Sequence, residues 1–504
     1  MVVLYYRPMW TCGRFHAQTQ SAIIFNLLKG VSYYFEDVSS VVIGCVLSTE
    51  RGAEVDFSRI LQEYDLSEEE LGDFCKLLEE QGLVSSLPQT ASVIEEYRKA
   101  EYGRRQSGHH VSNSRGFFLN EAEKMYAERT GVPITTAMLE LTYRCSERCV
   151  HCYNPGATRN DDEECTRSRF KELTLDEYKA IIDQLYDAGA VRVCLTGGDP
   201  FSKPEVWDII NYLYVKNIAI EIFTNGQSLV GKETELASFY PSDVGVSLYG
   251  ACGHVHDRIT RVKGSFERSL SVLRGLSELG VPIVVKCCVI RPNVKHYAAV
   301  CDLADSLGAF LQLETAVFDS LDGDKCVSTY LRLTEEQLDI VLRDMRNPLY
   351  VGPEVEDWGR FRKIPDERGC GAGHQTVNIS PEGNVTPCCS FGKSLGNLRE
   401  ESLEDILTGN DYLEWWKELT LKDYPECGKY VYCDFCKLCP GLNYNANGTP
   451  IEPSDCNCYI AKARYGVYEK LQRGIDPLNG RQLGEALSEL DECVVKDIHR
   501  VYNN

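Results

Sequence analysis

An α/β protein is what this sequence predicts: a partial TIM-like (βα)6 barrel in the middle, a small α+β unit before it and a cysteine-rich unit after it. Three observations carry the prediction. Six apolar strand-like runs, AMLELT, VRVCLT, AIEIFT, VGVSLY, PIVVKCCVI and FLQLETAVF, recur between residues 136 and 345. Segments of 3.6-residue periodicity separate them, the pattern of parallel strands joined by crossover helices. Ahead of them, short strand signals mix with amphipathic helix, and behind them nine of the 23 cysteines fall between Cys370 and Cys458.

Residues 1–100 make the leading unit. GVSYYFEDVSSVVIGCVL reads as a short strand pair and a helix start. Ser67 followed by Glu70 is a capping-box start to an amphipathic helix, and QGLVSSL then reads as a wing-like strand. Residues 101–135 read as a linker, helical at first and loose afterwards. In the barrel, 136–345, Thr174/Glu177 and Thr334/Gln337 are capping boxes for two of the helices. Residues 346–480 are poorer in periodic pattern, and a helix at 481–504 closes the chain.

Bulk properties narrow the function. The net charge of −22 argues against sequence-independent nucleic-acid binding, which needs Lys and Arg to neutralise phosphates. The first twenty residues do not read as a signal peptide, and no run approaches the roughly 18 apolar residues of a membrane span. A cytoplasmic location is expected, and there 23 cysteines point to metal or redox chemistry, not disulfides.

In a parallel βα barrel, active groups gather on the loops that leave the C-terminal ends of the strands. Here the first such loop holds Cys145, Cys149 and Cys152, the second Thr196-Gly197-Gly198-Asp199-Pro200, and the third Thr224-Asn225-Gly226. The fourth strand carries Ser247 and Tyr249, with Arg258 beyond. Three thiolates suit an iron–sulfur cluster that normally takes four, leaving one iron open for a small bidentate ligand. Zinc competes, but structural zinc wants four protein ligands, and His151 would strain to serve beside Cys152. Taken singly, a glycine pair is usually a tight turn, Ser247 and Arg258 are usually surface residues, and Cys194, Cys287 and Cys288 read as small core hydrophobes. Joint placement is what raises the first set.

Cys145-x3-Cys149-x2-Cys152 followed by Tyr153 resembles the motif of radical S-adenosylmethionine (radical SAM) enzymes, and GGDP resembles their GGEP variant. The resemblance implies that the open iron chelates the amino and carboxylate groups of S-adenosylmethionine. Tyr153, Gly197, Gly198, Asp199, Pro200 and Asn225 would line that cofactor. Ser247 and Arg258 would take its ribose and carboxylate. An electron from the cluster would then release a 5′-deoxyadenosyl radical that abstracts hydrogen.

The tail resembles the SPASM extension, which implies two auxiliary 4Fe–4S clusters. Cys370, Cys388 and Cys439 fall on positions for the first; Cys427, Cys436 and Cys458 fall on positions for the second. Gly383, five residues before Cys388, lets the backbone bend tightly. The family's second cysteine in this stretch would be residue 430, which is Tyr430; Cys433 is the substitute three residues on. Cys389 and Cys456 have no assigned part. A zinc ribbon is the competing reading. The clusters would relay electrons or staple a domain with little core.

The leading unit resembles the winged-helix element of enzymes that modify ribosomally made peptides, which implies that a leader segment binds as an added strand on a sheet edge. The combined resemblance is to a peptide maturase that forms an intramolecular thioether or carbon–carbon crosslink. It implies a precursor peptide, a flavodoxin- or ferredoxin-type electron donor, and neither nucleic acid nor membrane as partner. A sulfatase-maturing type of enzyme, a peptide epimerase and a non-catalytic iron–sulfur or zinc adaptor are the alternatives.

Overall fold

The N-terminal unit begins with an antiparallel meander, β1 (Thr11–His16), β2 (Ser21–Asn26) and β3 (Val31–Glu36), in that spatial order. The computed structural model describes residues 4–64, 66–107, 119–154, 171–317, 330–353 and 364–491. Strand β2 is buried throughout, and its period of two divides it between two cores. Ala22 and Ile24 pack with Val42, Ile43 and Val46 of α1 (Asp37–Ser48), while Ile23 and Phe25 pack with Tyr126, Val191 and Tyr240 on the barrel side.

Helices α2 (Ser58–Glu63) and α3 (Glu68–Glu80) complete the unit, α3 starting at the Ser67/Glu70 capping box. Two local readings are corrected. GVSYYFEDVSSVVIGCVL holds the single strand β3 and then α1, not a strand pair before the helix: the apolar residues of α1 bury one helical face against β1 and β2. QGLVSSL contributes only a bridge from Ser85 to Tyr6, because no neighbour offers it a longer ladder.

The expected linker is α4 (Ala91–Ser107) and α5 (Glu121–Thr130), and its loose part, 108–118, lies outside the described residues. Asn120 caps α5, with Glu123 completing the box. The same Glu123 carboxylate meets the buried Arg192 guanidinium at 2.8 and 3.1 Å, and Arg192 also meets Glu221 at 2.8 Å. These groups seal the barrel floor, where a buried charge must be paired.

Six parallel strands form the barrel: β4 (Thr136–Glu140), β5 (Arg192–Thr196), β6 (Ala219–Thr224), β7 (Asp243–Ser247), β8 (Ile283–Cys288) and β9 (Phe310–Glu314). Between them run α6 (Leu175–Asp187), α7 (Val206–Val215), α8 (Glu233–Ala237), α9 (Gly253–Thr260), α10 (Ser265–Glu278) and α11 (Tyr297–Ser306); α12 (Glu335–Val341) follows β9. The Thr174/Glu177 and Thr334/Gln337 boxes start α6 and α12. Odd-numbered aliphatics such as Val193, Leu195, Val285 and Leu311 face the helices, so strand alternation turns Glu140, Cys194, Lys286 and Gln312 toward the lumen.

The N-terminal unit grips the opposite end of the barrel from the loops, where the helices finish. Arg14 donates to the Tyr186 carbonyl at the end of α6, and Arg51 to Tyr214 at the end of α7 (2.8 Å). Arg98 donates to Ala237 at the end of α8 (2.7 Å), and Arg105 to Gly280 just past α10 (2.5 Å). Each cation meets carbonyls at the negative end of a helix.

The cysteine-rich segment does not form a separate sheet. Its strands β10 (Thr376–Ile379), β11 (Asn384–Thr386) and β12 (Gly396–Asn397) extend the barrel sheet, with β10 parallel to β4 and Asn378 opposite Met138. Helices α13 (Leu403–Thr408), α14 (Asp411–Glu418), α15 (Pro440–Asn447), α16 (Asp455–Gln472) and α17 (Leu483–Ser488) follow. Of the expected closing helix only α17 is described; 492–504 lie outside the described residues. No helix among the described residues is long and apolar enough to cross a membrane.

Candidate functional site

The loop after β4 carries Cys145, Cys149 and Cys152 without regular structure. It is pinned at its middle, where the Arg148 and Val150 amides donate to the Thr260 and Ile259 carbonyls at 3.0 Å. The three thiols lie within electrostatic reach of one another. Burial pushes Cys145 up to about 12 and Cys149 well above the ordinary thiol value, so it takes a metal to draw off their protons.

The second loop is held against the first by closeness that only glycine permits. The Gly198 amide donates to the Thr142 carbonyl at 2.6 Å and the Asp199 amide to Arg144 at 2.9 Å. A β-carbon on Gly197, whose φ is +131°, would stand 2.4 Å from the Thr142 oxygen, and one on Gly198 would stand 2.4 Å from the Arg144 oxygen. Pro200 then starts a short 3-10 turn.

Asp199 is fully buried. Its Oδ1 accepts from the Thr224 hydroxyl and from the Asn225 amide at 3.2 Å, while Oδ2 has no partner. Burial raises this carboxyl from 3.8 to about 6 against the pull of Thr224, Asn225 and the nearby Ser202 side chain. An orphaned, fully buried carboxylate oxygen is costly, and an ammonium group would satisfy it. The Asn225 side-chain amide reaches Cys145 Sγ and Ser146 Oγ, both at 3.3 Å. The first three loops therefore converge on one place.

Ser247 ends β7 and hydrogen-bonds Tyr249. The Arg258 guanidinium meets His254 at 3.3 Å rather than any of these groups. Tyr153 is half-buried near Glu140, Cys194 and Cys389, on the lumen side. Sequence reasoning placed Thr224 on the rim without giving it a role, and passed over Glu147 and the Gln227–Arg268–Ser269 set. Glu147 Oε2 accepts from Cys149 at 3.6 Å, and burial lifts its carboxyl to about 8. Gln227 accepts from Arg268 at 2.5 Å, and Ser269 donates to the Asn225 carbonyl at 2.8 Å. The Thr in TNG was a usable signal; the α10 residues had none, because only the fold brings them to the third loop.

In the third region Cys370, Cys388 and Cys439 lie together. Cys389 turns to the barrel side, near Glu140 and Lys286. Cys427, Cys433, Cys436 and Cys458 line one small cavity. Cys456 is buried and donates to the Val317 carbonyl at 3.7 Å. Among the described residues, no three or more His, Cys, Asp or Glu side chains converge on the position of a single metal ion. A polynuclear cluster makes no such demand, since each thiolate binds its own iron at a separate corner. The residues present fit such clusters, and Asp199 fits the ammonium of S-adenosylmethionine.

Comparison with known proteins gives matching results. Residues 139–304 match the radical SAM superfamily, and residues 370–440 match SPASM, an iron–sulfur cluster-binding domain. The antilisterial bacteriocin subtilosin biosynthesis protein AlbA of Bacillus subtilis is 29% identical over 324 residues, covering 61% of this chain and 68% of that protein. The PqqA peptide cyclase of Bradyrhizobium diazoefficiens is 27% identical over 291 residues, 56% of this chain and 73% of that one. The fold is similar to that of Streptococcus suis SuiB bound to S-adenosylmethionine, with a TM-score of 0.52 and 14% identity over 90% of this chain and 99% of that one. The chain thus carries a radical SAM domain over residues 139–304, followed by a SPASM iron–sulfur cluster-binding domain over residues 370–440.

Proposed function

We propose that this protein is a peptide maturase that crosslinks a ribosomally made precursor within itself, through a thioether or a carbon–carbon bond. The observation that carries the reading is the union, in one chain, of the Asp199-centred site with a sheet whose outer strand is open. Strand β3 pairs only with β2 among the described residues and is half exposed, which suits a leader segment added as a further strand. The names of the two relatives, one in bacteriocin biosynthesis and one a peptide cyclase, support a peptide substrate.

Cys145, Cys149 and Cys152 would hold a 4Fe–4S cluster and leave one iron for S-adenosylmethionine. Bound there and reduced, that pair supplies a 5′-deoxyadenosyl radical. Asp199 Oδ2 would receive the ammonium, with Thr224 and Asn225 fixing the carboxylate's direction. Gly197 and Gly198 let that carboxylate approach the cluster loop. Tyr153, Pro200, Ser247 and Arg258 remain candidates for the rest of the cofactor. The buried lumen below excludes water from the carbon radical formed on the peptide. Forming a crosslink releases an electron, and the thiols of Cys370, Cys388 and Cys439 would hold a cluster to receive it. A flavodoxin- or ferredoxin-type protein would reduce the first cluster in the cytoplasm.

The test is mass spectrometry of a leader-bearing peptide encoded beside this chain. Incubated with reduced, reconstituted protein and S-adenosylmethionine, it should lose two mass units per crosslink. A peptide of unchanged mass, while 5′-deoxyadenosine is still released, rejects the substrate class.

A further inference from the structure

We infer that Glu140 is the base that takes up the proton set free when the crosslink forms, standing in the lumen between the loop that would hold the first cluster and the turn that would hold an auxiliary one. The inference deepens the maturase reading and rests on it.

The need for a base follows from the balance of the reaction. A crosslink removes two hydrogens from the peptide. One leaves as an atom, when the 5′-deoxyadenosyl radical breaks a C–H bond and becomes 5′-deoxyadenosine. The carbon radical left behind then bonds to a second side chain, whose S–H or C–H bond breaks. The radical brings one electron and the broken bond two, and the new bond keeps two of the three. The third passes to an oxidised iron–sulfur cluster at Cys370, Cys388 and Cys439, and the second hydrogen departs as a proton. The sum is the same for a thioether and for a carbon–carbon bond.

Glu140 ends β4 with its side chain on the lumen face and is 4% exposed. Two residues that adjoin proposed iron ligands face it. Tyr153, next to Cys152, and Cys389, next to Cys388, both lie within electrostatic reach of its carboxylate. The carboxyl therefore stands between the place where the hydrogen atom leaves and the place where the electron would go. The Asn378 side chain of β10 hydrogen-bonds it and is itself tied to Thr386 at 3.2 Å, which fixes the direction of the carboxyl. The lumen beside it is not filled. Tyr153, Lys286, Gln312 and Cys389 are only half-buried there. Gly245 on β7 leaves room where a β-carbon would stand 2.8 Å from Lys286 Cδ. A peptide side chain can enter this space.

The other groups around the carboxyl are unsuited to the task. Tyr143 and Tyr153 face it from the first loop, Tyr178 from α6 and Cys389 from the turn after β11. Phenols and thiols hold their protons at neutral pH, and burial pushes Tyr178 further up. Lys286 of β8 lies beyond Cys389, its ammonium over the Phe223 ring, and an ammonium has no lone pair to accept a proton. Burial lifts the Glu140 carboxyl from 4.5 to about 7 against the pull of Asn378. A base at that value both accepts and releases a proton readily at neutral pH.

The test compares wild type with Glu140→Gln, which keeps a partner for Asn378 and cannot take the proton. Both are given the precursor peptide of the maturase test between pH 5 and 9, with saturating S-adenosylmethionine to keep the Asp199 step out of the profile. Wild-type crosslinking, followed by mass spectrometry, should rise about tenfold per pH unit up to about 7 and then level. Glu140→Gln should crosslink about 100-fold more slowly at pH 7 and lose the break, while the 5′-deoxyadenosine released per crosslink rises at least tenfold. Iron analysis shows whether the variant has folded. Should it lose iron, Glu140→Asp takes its place and should move the break, a base elsewhere leaving it where it was. A wild-type peptide of unchanged mass removes the maturase reading and this inference with it. A crosslinked wild-type peptide, with an undiminished rate or an unmoved break in Glu140→Gln, overturns the inference alone.

Discussion

The side-chain amide of Asn225 donates to the sulfur of Cys145 across 3.3 Å, while its backbone amide donates to the Asp199 carboxylate at 3.2 Å. One residue thus joins the proposed iron ligand to the proposed ammonium acceptor. A hydrogen bond to a thiolate favours the reduced, more negative cluster. Asn225→Ala should keep all its iron and lower the midpoint potential of the first cluster. One hydrogen bond of about 1 kcal/mol corresponds to a fall of about 40 mV for a one-electron couple. Redox titration followed by electron paramagnetic resonance checks it; an unchanged potential would mean that the contact is lost once iron binds.

Gly198→Ala should cost the first cluster and spare the others. The added β-carbon would lie 2.4 Å from the Arg144 carbonyl and 2.6 Å from that of Tyr143, both on the backbone leading into Cys145. These atoms belong to the loop that must cradle iron, so the loop has to move. Iron analysis should show about one third less metal, and 5′-deoxyadenosine formation should drop at least 100-fold.

Asp199 gives a pH dependence. Its carboxyl stands at about 6 instead of 3.8 because burial disfavours its charge. A folded value above the unfolded one means that the free protein loses stability as pH rises from 3.8 through 6, on the order of 3 kcal/mol for that displacement. A bound ammonium offsets that loss and needs the ionised carboxylate. Affinity for S-adenosylmethionine should be level above pH 6 and fall by up to tenfold per unit below it. Calorimetric titration of the reconstituted protein between pH 5 and 8 measures this, and Asp199→Asn should bind weakly with no step near 6.

Arg105 tests the grip of the N-terminal unit on the barrel. Its guanidinium donates to Leu28 at 3.1 Å and to Gly280 at 2.5 Å, buried at the junction. Arg105→Ala leaves both carbonyls short of a donor and should cost about 2–4 kcal/mol. The change should appear as an earlier, separate transition in calorimetry, with the iron content unchanged. A single transition at the original temperature would show that Arg14, Arg51 and Arg98 suffice.

Glu177 and Arg399 tie the start of α6 to the cysteine-rich segment, at 2.6 and 3.2 Å. The guanidinium holds the Glu177 carboxyl down to about 2. A depressed value stabilises the fold above the unfolded carboxyl range, and this stability is lost as pH falls from about 4.5 toward 2. The pair is partly exposed, so solvent screening limits it to about 1 kcal/mol. Denaturant titration of Glu177→Gln should show that deficit at pH 7 and a smaller one at pH 3.

The sequence by itself determined whatever is written in near neighbours along the chain. Strand runs such as Arg192–Thr196 and capping boxes such as Thr174/Glu177 are local patterns of burial and hydrogen bonding, and β4 to β9 stand where those runs lie. The Cys145–Cys149–Cys152 trio and the Gly197-Gly198-Asp199 turn were equally legible, since spacing fixes what one loop can hold. The tertiary structure alone decided the rest. It put Asn378 beside Met138, so that β10 extends the barrel, and set four arginines on helix ends remote in sequence. It left Asp199 Oδ2 unpaired over the cysteine loop and turned Cys433 into the cavity with Cys458. Contacts between distant segments depend on how whole elements pack, and packing leaves no periodic trace in the residues that make them.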